Sequence, residues 1–221
     1  MERRHCSTQA APVGIETRAD GSPMIVGYGS VFYKAGEAGT EYELWRGVKE
    51  RISPDAFTRA LADKDDARGL FNHDANHLLG RVAAGTMRLS VDAVGLRYEI
   101  DPPDTQAGRD VVASIQRGDL SGSSFAFSVG KESWQEMPDG SEVRTIEEVS
   151  HLYDTGPVTY PAYEAAHAGI RSDAGVDGVL ETDSGKSHAA WRQSLREDQE
   201  AKDETRRARI NRSADAIKKL S

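Results

Sequence analysis

Ser121-Gly122-Ser123-Ser124-Phe125-Ala126-Phe127-Ser128-Val129 decides the fold class of this chain. Gly122-Ser123-Ser124-Phe125-Ala126 nearly spells the nucleophile elbow of α/β-hydrolases, a sharp turn that needs a strand before the serine and a helix directly after it. The flanks run the other way. Upstream, Val111, Val112 and Ile115 recur at helical spacing within residues 105–118, and Arg117-Gly118 supplies a cation followed by a glycine stop. Downstream, Phe125 to Val129 has the aromatic and β-branched character of a strand. The context rejects the elbow and predicts a strand entered from a helix.

Strand signals surround this segment. Residues 24–33 are rich in β-branched and aromatic side chains, with Gly27 and Gly29 marking a bend or a close approach of backbones. Residues 69–72 read as a short buried strand that ends at His73. Residues 86–91 and 96–100 alternate at period two around a turn at 92–95 and read as a hairpin, stopped by Pro102-Pro103. Beyond a turn at Pro138-Asp139-Gly140 come two more runs, 142–149 and 152–160. Pro54 suits the first turn of a helix through Ala56, Phe57, Ala60 and Leu61, with Ser53 as its N-cap. Many strands with two interleaved helices predict an α+β domain built on an antiparallel sheet or barrel flanked by helices.

Composition divides the chain further. Residues 1–22 are polar and broken by Ala-Ala-Pro and Asp20-Gly21, which reads as a flexible leader with Cys6 as an inert thiol in a frayed end. Residues 23–172 form the expected domain. Residues 173–187 are dominated by Gly, Asp and Ser and read as a linker, and 188–221 as a charged tail, helical or disordered. Residues 173–221 hold ten acidic and ten basic side chains, so the net charge of −8 resides in the first 172 residues. Trp191 and Leu195 share a helix face, as do Ile210, Ala214 and Ile217, a stripe too thin for an independent core.

A net charge of −8 argues against a direct nucleic-acid partner, because that affinity rests on clustered Lys and Arg. The single cysteine allows neither an intrachain disulfide nor a multi-cysteine metal site, as suits a reducing cytoplasm. No apolar run approaches the roughly 20 residues that span a bilayer, and Met1-Glu2-Arg3-Arg4-His5 is not followed by the apolar stretch of a signal peptide. The expectation is a soluble protein with no membrane partner.

Two segments carry chemistry. Leu70-Phe71-Asn72-His73-Asp74 offers a base, and the serine-rich strand entrance offers a hydroxyl nucleophile, which needs a positioned base to take its proton as it attacks a carbonyl. Among Ser121, Ser123, Ser124 and Ser128 the residues alone do not choose. His73 and His77 are four apart and would share a helix face as metal ligands, but no Glu completes an HExxH arrangement, and Asn72 and Asn76 favour a turn. Neither a metal nor a cofactor is expected. An acid should orient the imidazole and stabilise its charged form, and the candidates after the Pro138-Asp139-Gly140 turn are Glu148, His151 and Asp154. Folding a hairpin about residue 139 brings position 154 roughly opposite 124.

The ordered set Glu50-Arg51-Ile52-Ser53-Pro54-Asp55-Ala56-Phe57, Phe71-Asn72-His73-Asp74 with Leu79-Gly80-Arg81, Ser124-Phe125-Ala126-Phe127 and Pro157-Val158-Thr159-Tyr160-Pro161-Ala162-Tyr163 resembles the prohead maturation proteases of tailed bacteriophages, those accompanying HK97-type capsids. The resemblance runs from about residue 27 to about 172. It implies Ser124 as nucleophile, Ala126 standing where glycine is more usual, and His73 as base. Asp154 falls where the family carries an acid before a Ser-x-Val segment, although Gly156 stands for that Ser. His151 remains a candidate because herpesvirus assemblins, whose fold these enzymes are thought to share, use a second histidine. The implied function is a serine endopeptidase packaged in the immature capsid in the host cytoplasm. Its implied substrates are capsid protein and scaffold segments and the chain itself, with self-association a further option. The alternatives are a scaffold or capsid-assembly protein that kept the fold without the chemistry, and an esterase on small substrates.

Overall fold

The computed structural model describes residues 1–6, 11–160 and 182–218. The chain divides into two units, Met1–Ser172 and Asp173–Ser221.

One long hairpin organises the first unit. β10 (Gly122–Glu136) turns at residues 137–141 into β11 (Glu142–Val158), and the two pair antiparallel along nearly their whole length. The sequence suggested two strands after this turn; the structure has one of 17 residues. β1 (Glu2–Cys6) lies on the far side of β10, and β5 (Val48–Ile52) and β4 (Tyr42–Trp45) continue beyond β11. β6 (Arg68–Leu70) also pairs with β11, further along, and carries β7 (Leu78–Arg81), completing a seven-stranded sheet. A second sheet of four strands runs β2 (Gly14–Thr17), β3 (Pro23–Val31), β9 (Gly95–Ile100), β8 (Met87–Val91).

The mixed α and β content agrees with the expectation, with two corrections. β5 and β6 run parallel to β11, so the larger sheet is mixed and not purely antiparallel. The described strands form open sheets, not a closed barrel. Local alternation signals strands and hairpins but is silent about which distant strands share an edge, and β11 is long enough to take two parallel partners on one side.

Helices follow the sequence less evenly. α2 (Gln106–Arg117) has Thr105 as its N-cap, whose hydroxyl accepts from the Gly108 N–H at 3.2 Å, and Gly118 ends it in the left-handed conformation at φ 83°. Its Val111 and Ile115 pack with Ile25, Leu79, Met87, Tyr98 and Ile100. α1 (Thr58–Ala62) begins later than expected and has no side-chain cap. Ser53 instead starts a tight turn in which its carbonyl accepts from the Ala56 N–H at 3.0 Å. In the second unit, α3 (Asp183–Lys218) begins inside the stretch read as a linker. The Thr182 hydroxyl accepts from the Gly185 N–H at 3.0 Å, and Asp183 stands in the first turn, where an acid favours helix. The rest of that linker, 173–181, lies outside the described residues.

The reading of residues 1–22 as a flexible leader is also corrected. β1 pairs with β10, β2 pairs with β3, and Cys6, Ala11 and Val13 are buried. Polar composition misleads because Glu2 is buried and Arg4 largely covered, both in ion pairs. The Arg4 guanidinium meets Glu50 at 2.6 Å, and Arg144 meets Glu2 and Glu50 at 2.8 Å each and also pairs with Glu132. Arg144 is 1 % exposed and Glu50 0 %. Removing one member strands its partners without water, which costs about 3–5 kcal/mol. Arg144→Met should therefore lower unfolding free energy by about that amount in urea titration, and a loss below about 1 kcal/mol would mean that the remaining charges find other partners.

Candidate functional site

Strand alternation aims the serine. Phe125 and Phe127 point into the core, where their rings stack at 4.6 Å and Phe57 packs edge-on at 5.7 Å. Ser124 and Ala126 therefore face the other way. On β11, Gly156 is opposite Ser124 and Asp154 is opposite Ala126, which puts Asp154 diagonal to Ser124 on the same face. The simple hairpin count had placed 154 opposite 124. Register shifts at four points along β10 displace the pairing by two residues and keep the carboxylate on the serine's side. Gly156 also has a steric reason, since a Cβ there would lie 2.3 Å from the Leu70 carbonyl oxygen.

His73 arrives from β6, whose residues Arg68 and Gly69 pair with Asp154 and Thr155. The chain leaves β6 through Asn72 and His73, both left-handed at φ 56° and 57°. Such a conformation costs a non-glycine residue about 1 kcal/mol or more and persists only where surroundings enforce it. Asn72 supplies the enforcement. Its N–H donates to the Pro157 carbonyl at 3.1 Å, its side-chain amide donates to Thr159 Oγ1 at 3.0 Å, and its Oδ1 accepts from the Thr159 N–H at 2.8 Å. Asp74 closes the turn by accepting from the Asn76 N–H at 2.8 Å, so the segment is a turn and not a helix.

The three side chains meet. His73 Nε2 lies 2.5 Å from Ser124 Oγ, and His73 Nδ1 is hydrogen-bonded to Asp154 Oδ1. With Nδ1–H donated to the carboxylate, Nε2 presents a lone pair to the serine hydroxyl. The hydroxyl also stands 2.9 Å from the Arg4 carbonyl oxygen of β1. His5 on that strand meets His73 edge-on at 6.2 Å, and burial, reinforced by the positive potential of His73, Arg4 and Arg3, lowers its imidazole to about 4. Thr155 Oγ1 donates to the Ser124 carbonyl at 2.9 Å, tying the serine's own backbone to β11.

The remaining candidates lie elsewhere. Ser123 faces away and shares a hydrogen bond of 2.8 Å with the buried Tyr98 hydroxyl, and Ser128 pairs with the Tyr153 hydroxyl at 3.0 Å. Glu148 accepts from Arg59 at 2.9 Å, and His151 pairs with Asp65 at 3.0 Å; neither bonds to His73. His77 is half exposed and pairs with Asp74 at 3.0 Å. Sequence reasoning missed Asn72, Arg4 and His5. Asn72 had a signal, because asparagine is among the few residues that tolerate the left-handed region. Arg4 and His5 had none, since their role depends on a strand pairing with residues some 120 positions away.

The sequence matches the model of a family described as caudovirus prohead serine protease over residues 11–177. It is 31 % identical over 169 residues to the prohead protease of Enterobacteria phage HK97, covering 75 % of this chain and 67 % of that one. No solved structure matches it. A family match over most of the chain and a relative of that name, both spanning the strand that carries a serine against a histidine, make this chain a member of the caudovirus prohead serine proteases, enzymes of capsid maturation.

Proposed function

We propose that Ser124 is the nucleophile of this serine endopeptidase, His73 its general base and acid, and Asp154 the group that orients and charges the imidazole. One observation carries the assignment: a continuous hydrogen-bonded chain runs from Ser124 Oγ through both ring nitrogens of His73 to Asp154, in a site where Ser124 and Asp154 are buried and the His73 side chain is nearly covered. Ser124 Oγ adds to the scissile carbonyl carbon as its proton passes to His73 Nε2, and the imidazolium is held by Asp154. His73 then returns that proton to the leaving amine, and water repeats the cycle on the acyl-enzyme. The substrates are capsid-protein and scaffold segments inside the immature capsid in the host cytoplasm, with the chain itself a further substrate and self-association a further partner. The reading also takes the two-sheet fold as a relative of the herpesvirus assemblins, on the strength of a strand-borne serine facing a histidine.

Co-expression with the cognate capsid protein tests the assignment. Ser124→Ala and His73→Ala should each abolish processing and leave the fold intact, because members of one catalytic unit are not additive. Asp154→Asn should slow processing by on the order of 10⁴-fold, whereas Glu148→Gln and His151→Ala should stay within about twofold. Ser123→Ala should keep activity but lose about 1–2 kcal/mol of stability, since the Tyr98 hydroxyl loses its buried partner. Processing by the Ser124→Ala chain would defeat the assignment.

Self-cleavage is expected in the Gly, Asp and Ser stretch from 172 to 187, most of which lies outside the described residues. Mass spectrometry of purified wild type beside Ser124→Ala should find new termini there in the first chain and not in the second. Identical termini in both would remove self-cleavage from the account.

A further inference from the structure

We propose that the edge of β10 now held by β1 is the binding site for the substrate chain, and that β1 is a resident strand which an extended substrate segment displaces. This inference rests on Ser124 being the nucleophile.

The nucleophile is closed. Ser124 is 0 % exposed, and the side chains of His73 and Asp154 are 7 % and 11 % exposed. A peptidase must bring a carbonyl carbon against the serine oxygen, and no substrate reaches Ser124 in this arrangement. Something beside β10 has to leave. β11 is joined to β10 by a five-residue turn and pairs with it from Gly122 to Glu136, so that edge stays occupied. Among the described residues the other edge carries only β1, which pairs antiparallel with residues 123–127.

β1 already does what a substrate strand would do. It is extended, its Cα partners run from Glu2 opposite Phe127 to Cys6 opposite Ser123, and it presents a backbone carbonyl, that of Arg4, 2.9 Å from Ser124 Oγ. Main-chain ladder bonds are independent of sequence, so another extended segment can make the same ones, the general logic of recognition by strand addition. β1 also precedes residues 11–177, the part of the chain that matches the protease family.

The exchange is balanced electrostatically. When β1 leaves, it takes Arg4 from Glu50 and Glu2 from Arg144, one charge of each sign, while Arg144 keeps Glu50 at 2.8 Å and also Glu132. The site therefore survives without the strand, and β1 holds its place through Arg4 and Glu2 until an incoming chain recovers the ladder. Closure of this kind leaves the enzyme quiet until substrate is concentrated around it.

Cys6 reports the motion. It is the chain's one cysteine, it sits on β1 at 1 % exposure, and burial pushes its thiol up to about 12. The first arm uses the full-length Ser124→Ala chain, in which substrate can bind but not turn over. Saturating purified capsid protein should speed alkylation of Cys6 by iodoacetamide roughly tenfold or more, because a thiol reacts only in the open state. In the second arm, Arg4→Glu, which sets like charges against Glu50, should raise both Cys6 alkylation and phosphonylation of Ser124 by a fluorophosphonate, and a synthetic peptide of residues 1–8 should reverse the Ser124 gain. Cys6 protected under saturating substrate, while wild type cleaves that substrate, would overturn the inference. So would an Arg4→Glu chain whose Cys6 opens and whose Ser124 does not. If Arg4→Glu fails to fold, as read by its thermal melt, the first arm decides with the native strand. Loss of the catalytic assignment has a separate signature, processing by the Ser124→Ala chain.

Discussion

The pairing of β10 with β11 sets everything else in this molecule. A strand has a period of two, so a slip of one residue would turn Ser124 into the core and Phe125 and Phe127 out toward His73. The aromatic pair prevents that slip: both rings are fully buried against Phe57, and exposing either would forfeit about 1.5–3 kcal/mol. Hydrophobic burial on one face of β10 thus aims the hydroxyl on the other. The same hairpin brings Asp154 to the serine's side through its bulges, and the outer edge of β11 accepts β6 in parallel at Asp154 and Thr155, which delivers His73 from a third direction. Core packing, register and chemistry are one constraint seen at three scales.

Around this frame the chain uses buried charge where a simpler protein would use hydrocarbon. Glu2, Arg4, Glu50, Glu132 and Arg144 knit β1 to β5, β10 and β11. Ion pairs of this kind are no better for stability than well-packed apolar groups, but they are strict about who pairs with whom. A strand held by charges and ladder bonds, and not by large apolar side chains, is one that a competing strand can replace. The burial of Ser124 beneath β1 accompanies the same choice.

Much of this could be read from the sequence, and the failures have physical causes. The helix before Ser124 and the strand after it were plain from Val111, Val112, Ile115 and the Phe125–Phe127 alternation, because local periodicity reports local structure. His73 and Asp154 stand among the candidates that the residues offer, the ordered motifs of a family single them out, and the structure brings both side chains together with Ser124. What escaped is non-local. Nothing in Val48–Ile52 or Arg68–Leu70 announces a parallel partner 80 or more residues away. Glu2 and Arg4 look solvated until their partners are in view, so a paired strand reads as a leader from sequence alone. Ser53 suggested a helix cap, but its backbone spends its hydrogen bond on a turn and the helix starts later.

The central claim is that one serine among four in this segment is activated by one histidine. Tandem mass spectrometry of the full-length chain after long incubation with a fluorophosphonate tests it most directly, because the reagent marks the activated hydroxyl and no other. The account expects the adduct on Ser124 alone and its disappearance in the His73→Ala chain. An adduct on Ser121, Ser123 or Ser128, or one on Ser124 that forms equally well without His73, would contradict it.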